Sequence, residues 1–306
     1  MATANPQAPA RRRRSGISAA APAARVSTAG TNGGKVFDRV GFVVLLVCAV
    51  LWLLPSLWAV KTSLTSNATA ALGAEAILRD TDPTLASYAT LLRGGDIWNW
   101  YLASAVTAVV SAGLVVSLGS MCAFALSRMR FRGRQLAFVL VLAGIMVPTD
   151  VLILPIFQEL NALGLLNTYW AVIFPQVGAS VIAIFVFKQF FDGLPRELEE
   201  SARLDGASNW RIYRSIIMPL SRPIISAMAI VVFVWVWNNL ILPLFVLSNP
   251  KLMTIPVGLA TVQGSYGQRF ADIQASTVLG ALPLVVLFLV FQRRIVEGIA
   301  GTGLKG

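Results

Sequence analysis

Long uncharged runs separated by short charged clusters set the rhythm of this chain. Residues 40–60, 97–126, 168–187, 223–248 and 273–292 contain no Asp, Glu, Lys or Arg, and residues 135–158 contain one, Asp150. None alternates with the period of a half-buried strand, and each is apolar on all sides of a helix rather than along one stripe. A helix rises 1.5 Å per residue, so about 20 such residues match a hydrocarbon layer of roughly 30 Å. The pattern predicts an all-α membrane protein with six transmembrane helices. In the third run, Pro148-Thr149-Asp150 reads as a helix break followed by a fresh start with Asp150 as its N-cap, so that residues 151–160 lie along the interface. Gly113 and Gly119 in the second run predict close helix approach.

Composition agrees with this reading. The chain has 56% hydrophobic and 13% charged residues and a mean hydropathy of +0.72, whereas soluble domains carry roughly 25% charged residues. Histidine is absent, which removes serine triads, histidine zinc sites and imidazole proton shuttles. The two cysteines, Cys48 and Cys122, sit inside apolar runs, so neither a disulfide framework nor a cysteine metal site is expected. Residues 1–37 hold a run of arginines at 11–14 and little that is able to bury a core, and are expected to form a disordered basic tail. Basic residues ahead of an apolar stretch also fit a secretory signal, but residues 40–60 are too long for a signal core and are expected to stay as an anchor.

The net charge of +11 records topology rather than nucleic-acid binding. With six spans and both termini cytoplasmic, all of the 25 Lys and Arg residues except Lys61, Arg79, Arg93, Lys251 and Arg269 fall on the inner side. The positive-inside rule demands this split, and the opposite orientation would invert it.

The densest local signal lies in the loop between the fourth and fifth runs: Leu194-Pro195-Arg196-Glu197-Leu198-Glu199-Glu200-Ser201-Ala202-Arg203-Leu204-Asp205-Gly206-Ala207. Pro195 suits a first helical position. The three glutamates face the positive end of the helix dipole, and Glu199 has Arg203 four residues on as a partner. Asp205-Gly206 is a stop signal, and a second short helix over residues 207–216 leads to Pro219. A short rigid helix, a tight turn and another helix held under the membrane form a part on which an outside motor is able to push. An ordinary solvated connector has the same local chemistry.

Glu200-Ser201-Ala202-Arg203-Leu204-Asp205-Gly206-Ala207, followed by Ile217-Met218-Pro219, resembles the "EAA" loop of permease subunits in binding-protein-dependent ABC importers; Ser201 stands where that family prefers Ala. Three other stretches resemble the carbohydrate branch, near the maltose-transporter permeases. They are Trp237-Asn238-Asn239-Leu240-Ile241-Leu242-Pro243-Leu244 for a fifth-span motif, Ile255-Pro256-Val257-Gly258-Leu259 for the outer loop after it, and Gln292-Arg293-Arg294 with Gly298 and Lys305-Gly306 for the tail. The resemblance implies the type I ABC importer permease fold over residues 38–306, with a core at about 97–292 and a cytoplasmic coupling loop at 191–219. It also implies an ATPase contact at Glu200, Ser201, Ala202, Asp205, Gly206, Ala207 and Pro219. The implied partners are a second, related permease in a heterodimer, two ATP-binding cassette subunits and an extracellular or periplasmic sugar-binding protein, all at a bacterial plasma membrane. No Gly-x-x-x-x-Gly-Lys-[Ser/Thr] loop occurs in the chain, so hydrolysis of ATP with Mg is expected in the partner subunits, and this chain is expected to be no enzyme and to hold no cofactor or metal.

Polar groups within spans are costly and mark function. Trp235, Asn238, Asn239 and Leu242 share one face if the helix continues through them. There the amides and indole would line a sugar path, unless they bond to neighbouring helices instead. Asp150 would cost about 2.5–3.5 kcal/mol at a bilayer centre, so it is a weak candidate for proton coupling. A secondary transporter or channel for a small polar solute is the rival function, and it requires buried ion-coupling carboxylates.

Overall fold

The computed structural model describes residues 32–94, 96–266 and 269–303. Most of the expected basic tail (residues 1–31), and Lys305 and Gly306 of the C-terminal motif, lie outside them. The chain divides into two units, Met1–Leu53 and Leu54–Gly306. Among the described residues all regular structure is helical.

The first helix, α1 (Asn32–Ser63), contains the first apolar run. Its Leu45 and Trp52 are exposed, as are its other large side chains from Val40 to Leu57. An apolar stretch with its large side chains exposed all round is incompatible with water and suited to lipid or another helix. Three short helices follow, α2 (Asn67–Ala71), α3 (Ala74–Arg79) and α4 (Ala86–Arg93). They are tied back to the end of α1 by Lys61 Nζ donating to the Asp80 carbonyl (2.6 Å) and by the Ser63–Tyr88 hydroxyl pair (2.7 Å).

The central element is α5 (Asp96–Arg128), 33 residues long, with an acid in its first turn and a base in its last, as its dipole favours. One side of α5 buries a row of small residues including Ala103, Thr107, Ser111 and Ala123. Small side chains admit neighbouring backbones, and two helices use the space: α9 (Val181–Asp192) and α13 (Arg222–Trp237). Gly119 lies under α9, and a Cβ there would sit 3.6 Å from that of Ala183. Gly113, expected to do the same, has open space around it within this chain.

Three apolar runs are broken rather than straight. The third gives α6 (Arg134–Ile145), a 3-10 turn (Thr149–Leu152) and α7 (Ile153–Ala162), bent by 90° at the predicted break. Asp150 lies in that 3-10 turn, exposed, with no side-chain capping bond; Pro148 occupies the N-cap position. The fourth run gives α8 (Trp170–Gly178) and α9, bent by 45° at Ala179-Ser180, a break that composition did not reveal. After α9 come α10 (Glu197–Leu204), α11 (Asn209–Ile212), a π-helical turn (Tyr213–Ile217) and α12 (Met218–Leu220), which meets α13 at 79°.

The fifth run was expected as one span to residue 248 but stops at Trp237, and α14 (Ile241–Val246) resumes after a gap. Pro243 explains it: its ring excludes the carbonyl of Asn239 and it has no N–H to give. The Ile255-Pro256-Val257-Gly258-Leu259 stretch, expected in a loop, opens α15 (Ile255–Tyr266), where Ile255 and Val257 are buried. The last helix is α16 (Phe270–Gly303). Among the described residues three helices are long and apolar enough to cross a membrane, and up to six spans result if each bent pair counts as one.

Candidate coupling and translocation sites

The loop singled out by its motif folds as two helices at a tight turn. α10 begins at Glu197, two positions after Pro195, which was expected as its first residue; Arg196 is the N-cap, and the backbone N–H groups of Glu199 and Glu200 both bond to its carbonyl. It ends at Leu204, and Gly206 follows at φ +77°. There Gly206 N donates to Arg203 O (3.0 Å) and Ala207 N to Ala202 O (2.9 Å). This is a Schellman closure, in which the left-handed residue lets two orphan carbonyls find partners. Ser208 then caps α11, its hydroxyl accepting from Arg211 N at 3.3 Å.

One side of this assembly is anchored. Ala202 and Ala207 pack against a core of Phe124, Phe187, Phe191, Ile212, Tyr213 and Ile217. The Tyr213 hydroxyl meets Ser120 Oγ of α5 at 2.8 Å, buried. Pro219 is exposed in α12, and the N–H it lacks falls where the π turn has already opened the helix. The opposite side is open: Glu200, Ser201 and Asp205 are exposed, Leu204 is 90% exposed, and Trp210, its ring 5.4 Å from that of Tyr213, is 57% exposed. Ser201 spends its hydroxyl on the Glu197 carbonyl (2.8 Å), so its surface stays as smooth as an alanine would leave it.

Glu199 does not pair with Arg203, as spacing within the helix had predicted. Its carboxylate lies 3.1 Å from Arg128 Nε at the end of α5, with the two side chains 8% and 2% exposed. Arg203 instead donates to Asn209 Oδ1 (2.9 Å) across the turn. Arg128 also donates to the carbonyls of Phe191 and Leu194, where α9 ends. Beside it, Ser127 Oγ donates to Asp192 Oδ1 at 2.5 Å, and Lys188 holds the other Asp192 oxygen at 2.6 Å. The bonds of Arg128 and Ser127 join positions distant in sequence, and nothing in the local spacing announces them, whereas Lys188–Asp192 is an i,i+4 pair within α9.

The structure does not unite Trp235, Asn238, Asn239 and Leu242 on one helical face. Trp235 is exposed on α13; Asn238 is the C-cap, and its amide nitrogen bonds to the Val234 carbonyl of its own helix (2.9 Å). Asn239 falls in the gap, half-buried, while Leu242 belongs to α14 and is buried with Leu160, Val172 and Val246. The buried tryptophan of this motif is Trp237, 3.4 Å from the Gly280 carbonyl and stacked on Phe233.

A second polar cluster, unmarked by any motif, lies where α2 meets α16. Asp272 is fully buried, accepts from Asn67 Nδ2 (3.1 Å) and pairs with Arg269 Nε (2.7 Å). Asn67 Oδ1 in turn accepts from Ala271 N (3.1 Å). The adjoining recess of about 400 Å³ includes Ser66, Asp80 and Asp82 in its wall. Among the described residues no cluster of His, Cys, Asp and Glu fits a metal ion.

Comparison with known proteins identifies relatives of the chain. The family described as "Binding-protein-dependent transport system inner membrane component" matches residues 115–295. The arabinooligosaccharides transport system permease protein AraQ of Halalkalibacterium halodurans is 40% identical over 69% of this chain and 76% of its own length. The trehalose/maltose transport system permease protein MalG of Thermococcus litoralis is 32% identical over 89% of this chain and 99% of its own. Among solved structures, a chain of a bacterial ABC transporter that imports the acidic polysaccharide alginate superimposes with a TM-score of 0.72 at 20% identity, over 86% of this chain and 98% of that one. At that identity the likeness is one of fold.

Proposed function

Because the chain belongs to the family of binding-protein-dependent transport system inner membrane components, we propose that it is the permease subunit of an ABC importer for an oligosaccharide. The observation that carries this reading is the loop at Glu197–Leu204 and Gly206. Its inner side is packed into the span core, and its outer side presents Glu200, Leu204 and Asp205, all exposed, beside Trp210, whose ring meets Tyr213 but is otherwise largely open. A stiff element with one anchored and one vacant side is what a separate motor needs. In this reading ATP-binding cassette subunits dock at Glu200, Ser201, Asp205 and Gly206, whereas Ala202 and Ala207, expected to join that contact, face the span core and seat the loop, with Pro219 setting its exit.

The chain then crosses the membrane six times, each bent pair serving as one span, with both termini cytoplasmic as the Lys and Arg distribution favours. A second, related permease completes the path, and a binding protein outside delivers the load. ATP and Mg are handled in the ATPase partners, since this sequence has no phosphate-binding loop. Closure of the ATPases on nucleotide moves α10 and rocks the spans between inward- and outward-facing states. The names of the relatives, which transport arabinooligosaccharides and trehalose/maltose, support a carbohydrate as cargo. Trp235, Asn238 and Asn239 remain the candidates for contact with it, as separate groups around the end of α13. The rival of an ion-coupled carrier is not favoured: Asp150 is exposed, and the buried carboxylates Glu199 and Asp272 are each held by an arginine.

The test is reconstitution of the permease pair with its ATPase subunits and binding protein in proteoliposomes. ATP hydrolysis stimulated by loaded binding protein, with uptake of arabinotriose or maltose, is expected. Uptake at full rate against a gradient with no nucleotide would overturn the reading.

A further inference from the structure

We propose that Arg128 and Glu199 form the strut that carries movement of α10 into α5, and that Arg128 is a positioning residue for transport. The inference rests on the permease reading and deepens it.

Four observations converge on this pair. Both side chains are almost wholly buried, at 2% and 8% exposure, with Arg128 Nε 3.1 Å from Glu199 Oε1. Two opposite charges removed from water attract far more strongly than a surface pair, so the contact resists being pulled apart. Second, the same guanidinium donates to the carbonyls of Phe191 and Leu194, so that three elements meet at one planar, rigid group. Third, apart from this pair, α10 is anchored through small apolar contacts, above all Ala202 beside the core. These resist sliding less than a buried ion pair does. Fourth, the far end of α5 is fastened to other elements. Trp100 Nε1 donates to Pro250 O (2.8 Å), Ser104 Oγ accepts from Ile255 N (2.8 Å), and Tyr101 OH donates to Leu279 O (2.6 Å). A displacement entering α5 at Arg128 is therefore delivered, along one 33-residue helix, to α15 and α16.

A pair that merely closes a gap in the fold would leave coupling untouched once the protein had assembled, and the two roles separate experimentally. The full complex of permeases and ATPase subunits is placed in nanodiscs, and amide hydrogen exchange is followed by mass spectrometry with and without ATP plus vanadate. In the wild type, nucleotide is expected to change exchange over residues 197–207 and over 123–128. In Glu199→Gln, which keeps the shape and removes the charge, the change over 197–207 is expected to persist and the change over 123–128 to be lost. Glu199→Asp, which keeps the charge, is expected to restore it at least in part.

Propagation to 123–128 undiminished in Glu199→Gln would overturn the proposal. So would a wild-type response confined to 197–207, because α5 would then not be the route. If Glu199→Gln inserts but fails to bind the ATPases, the pair is a requirement of assembly and the proposal falls. No nucleotide response in the wild type at 197–207 would instead count against the docking of an ATPase at this loop, which is the permease reading itself.

Discussion

Gly206 and Gly258 show two different reasons for having no side chain. At Gly206 nothing lies within 4 Å of the position a Cβ would take, so bulk is not the obstacle; the φ of +77° is. A left-handed conformation costs an ordinary residue roughly 1–2 kcal/mol, and Asn bears it best. Gly206→Val is therefore expected to abolish uptake and weaken ATPase co-purification while membrane insertion, read by fractionation, is unchanged; Gly206→Asn is expected to retain most uptake. Gly258 is the opposite case. A Cβ there would fall 2.2 Å from the Trp100 ring, whose indole N–H is committed to the Pro250 carbonyl. Gly258→Ala should destabilise by about 1–3 kcal/mol through overpacking, lowering the thermal midpoint in detergent. Gly119→Ala, whose Cβ would meet neighbours at ordinary contact distances of 3.6–3.8 Å, should shift it little.

Elements in this protein are joined by side chains that bond to backbone. Asn167, at φ 57°, precedes α8 and accepts from Ser248 N (2.7 Å) and Asn249 N (2.9 Å), which end the stretch following α14. Its own N–H bonds to Val246 O (2.9 Å). One residue thus replaces the turn that would otherwise satisfy three backbone groups. Asn167→Ala loses the acceptor and strains the backbone at once; water is able to replace the exposed bonds, so a loss of about 1–2 kcal/mol, set by the left-handed conformation, is expected. A drop in thermal midpoint with preserved α10–ATPase association would check it. At the end of α13, Asn238 satisfies its own helix. Asn238→Ala is expected to raise the half-saturating sugar concentration if the amide exchanges that bond for cargo; unchanged uptake kinetics would assign it to capping alone.

Across the whole molecule, the distribution of Lys and Arg sets a testable arrangement. In a background lacking Cys48 and Cys122, Ser66→Cys is expected to react with a membrane-impermeant maleimide added to intact cells, and Ser208→Cys only after lysis. The reverse pattern would invert the orientation argued from charge. The same arrangement places the Asp272–Arg269–Asn67 cluster outside and the Arg128–Glu199 pair inside, at opposite ends of the spans.

The all-helical membrane class, the break at Pro148 and the helix, tight turn and second helix around Gly206 were legible in the chain because they are written in local chemistry. Unbroken apolar length reports the bilayer, Pro148 reports a bend, and Asp205-Gly206 reports a left-handed stop. The break in residues 223–248 was marked locally by Pro243, whereas the partner of Glu199 and the site formed by Asp272 were not legible. Each depends on groups far apart in sequence: a carboxylate four residues from Arg203 prefers Arg128 because packing brings α5 beneath it and excludes water from the meeting point. Periodicity and propensity describe what a segment is able to become, whereas the choice among possible electrostatic partners is made by burial, which exists only once the helices have come together.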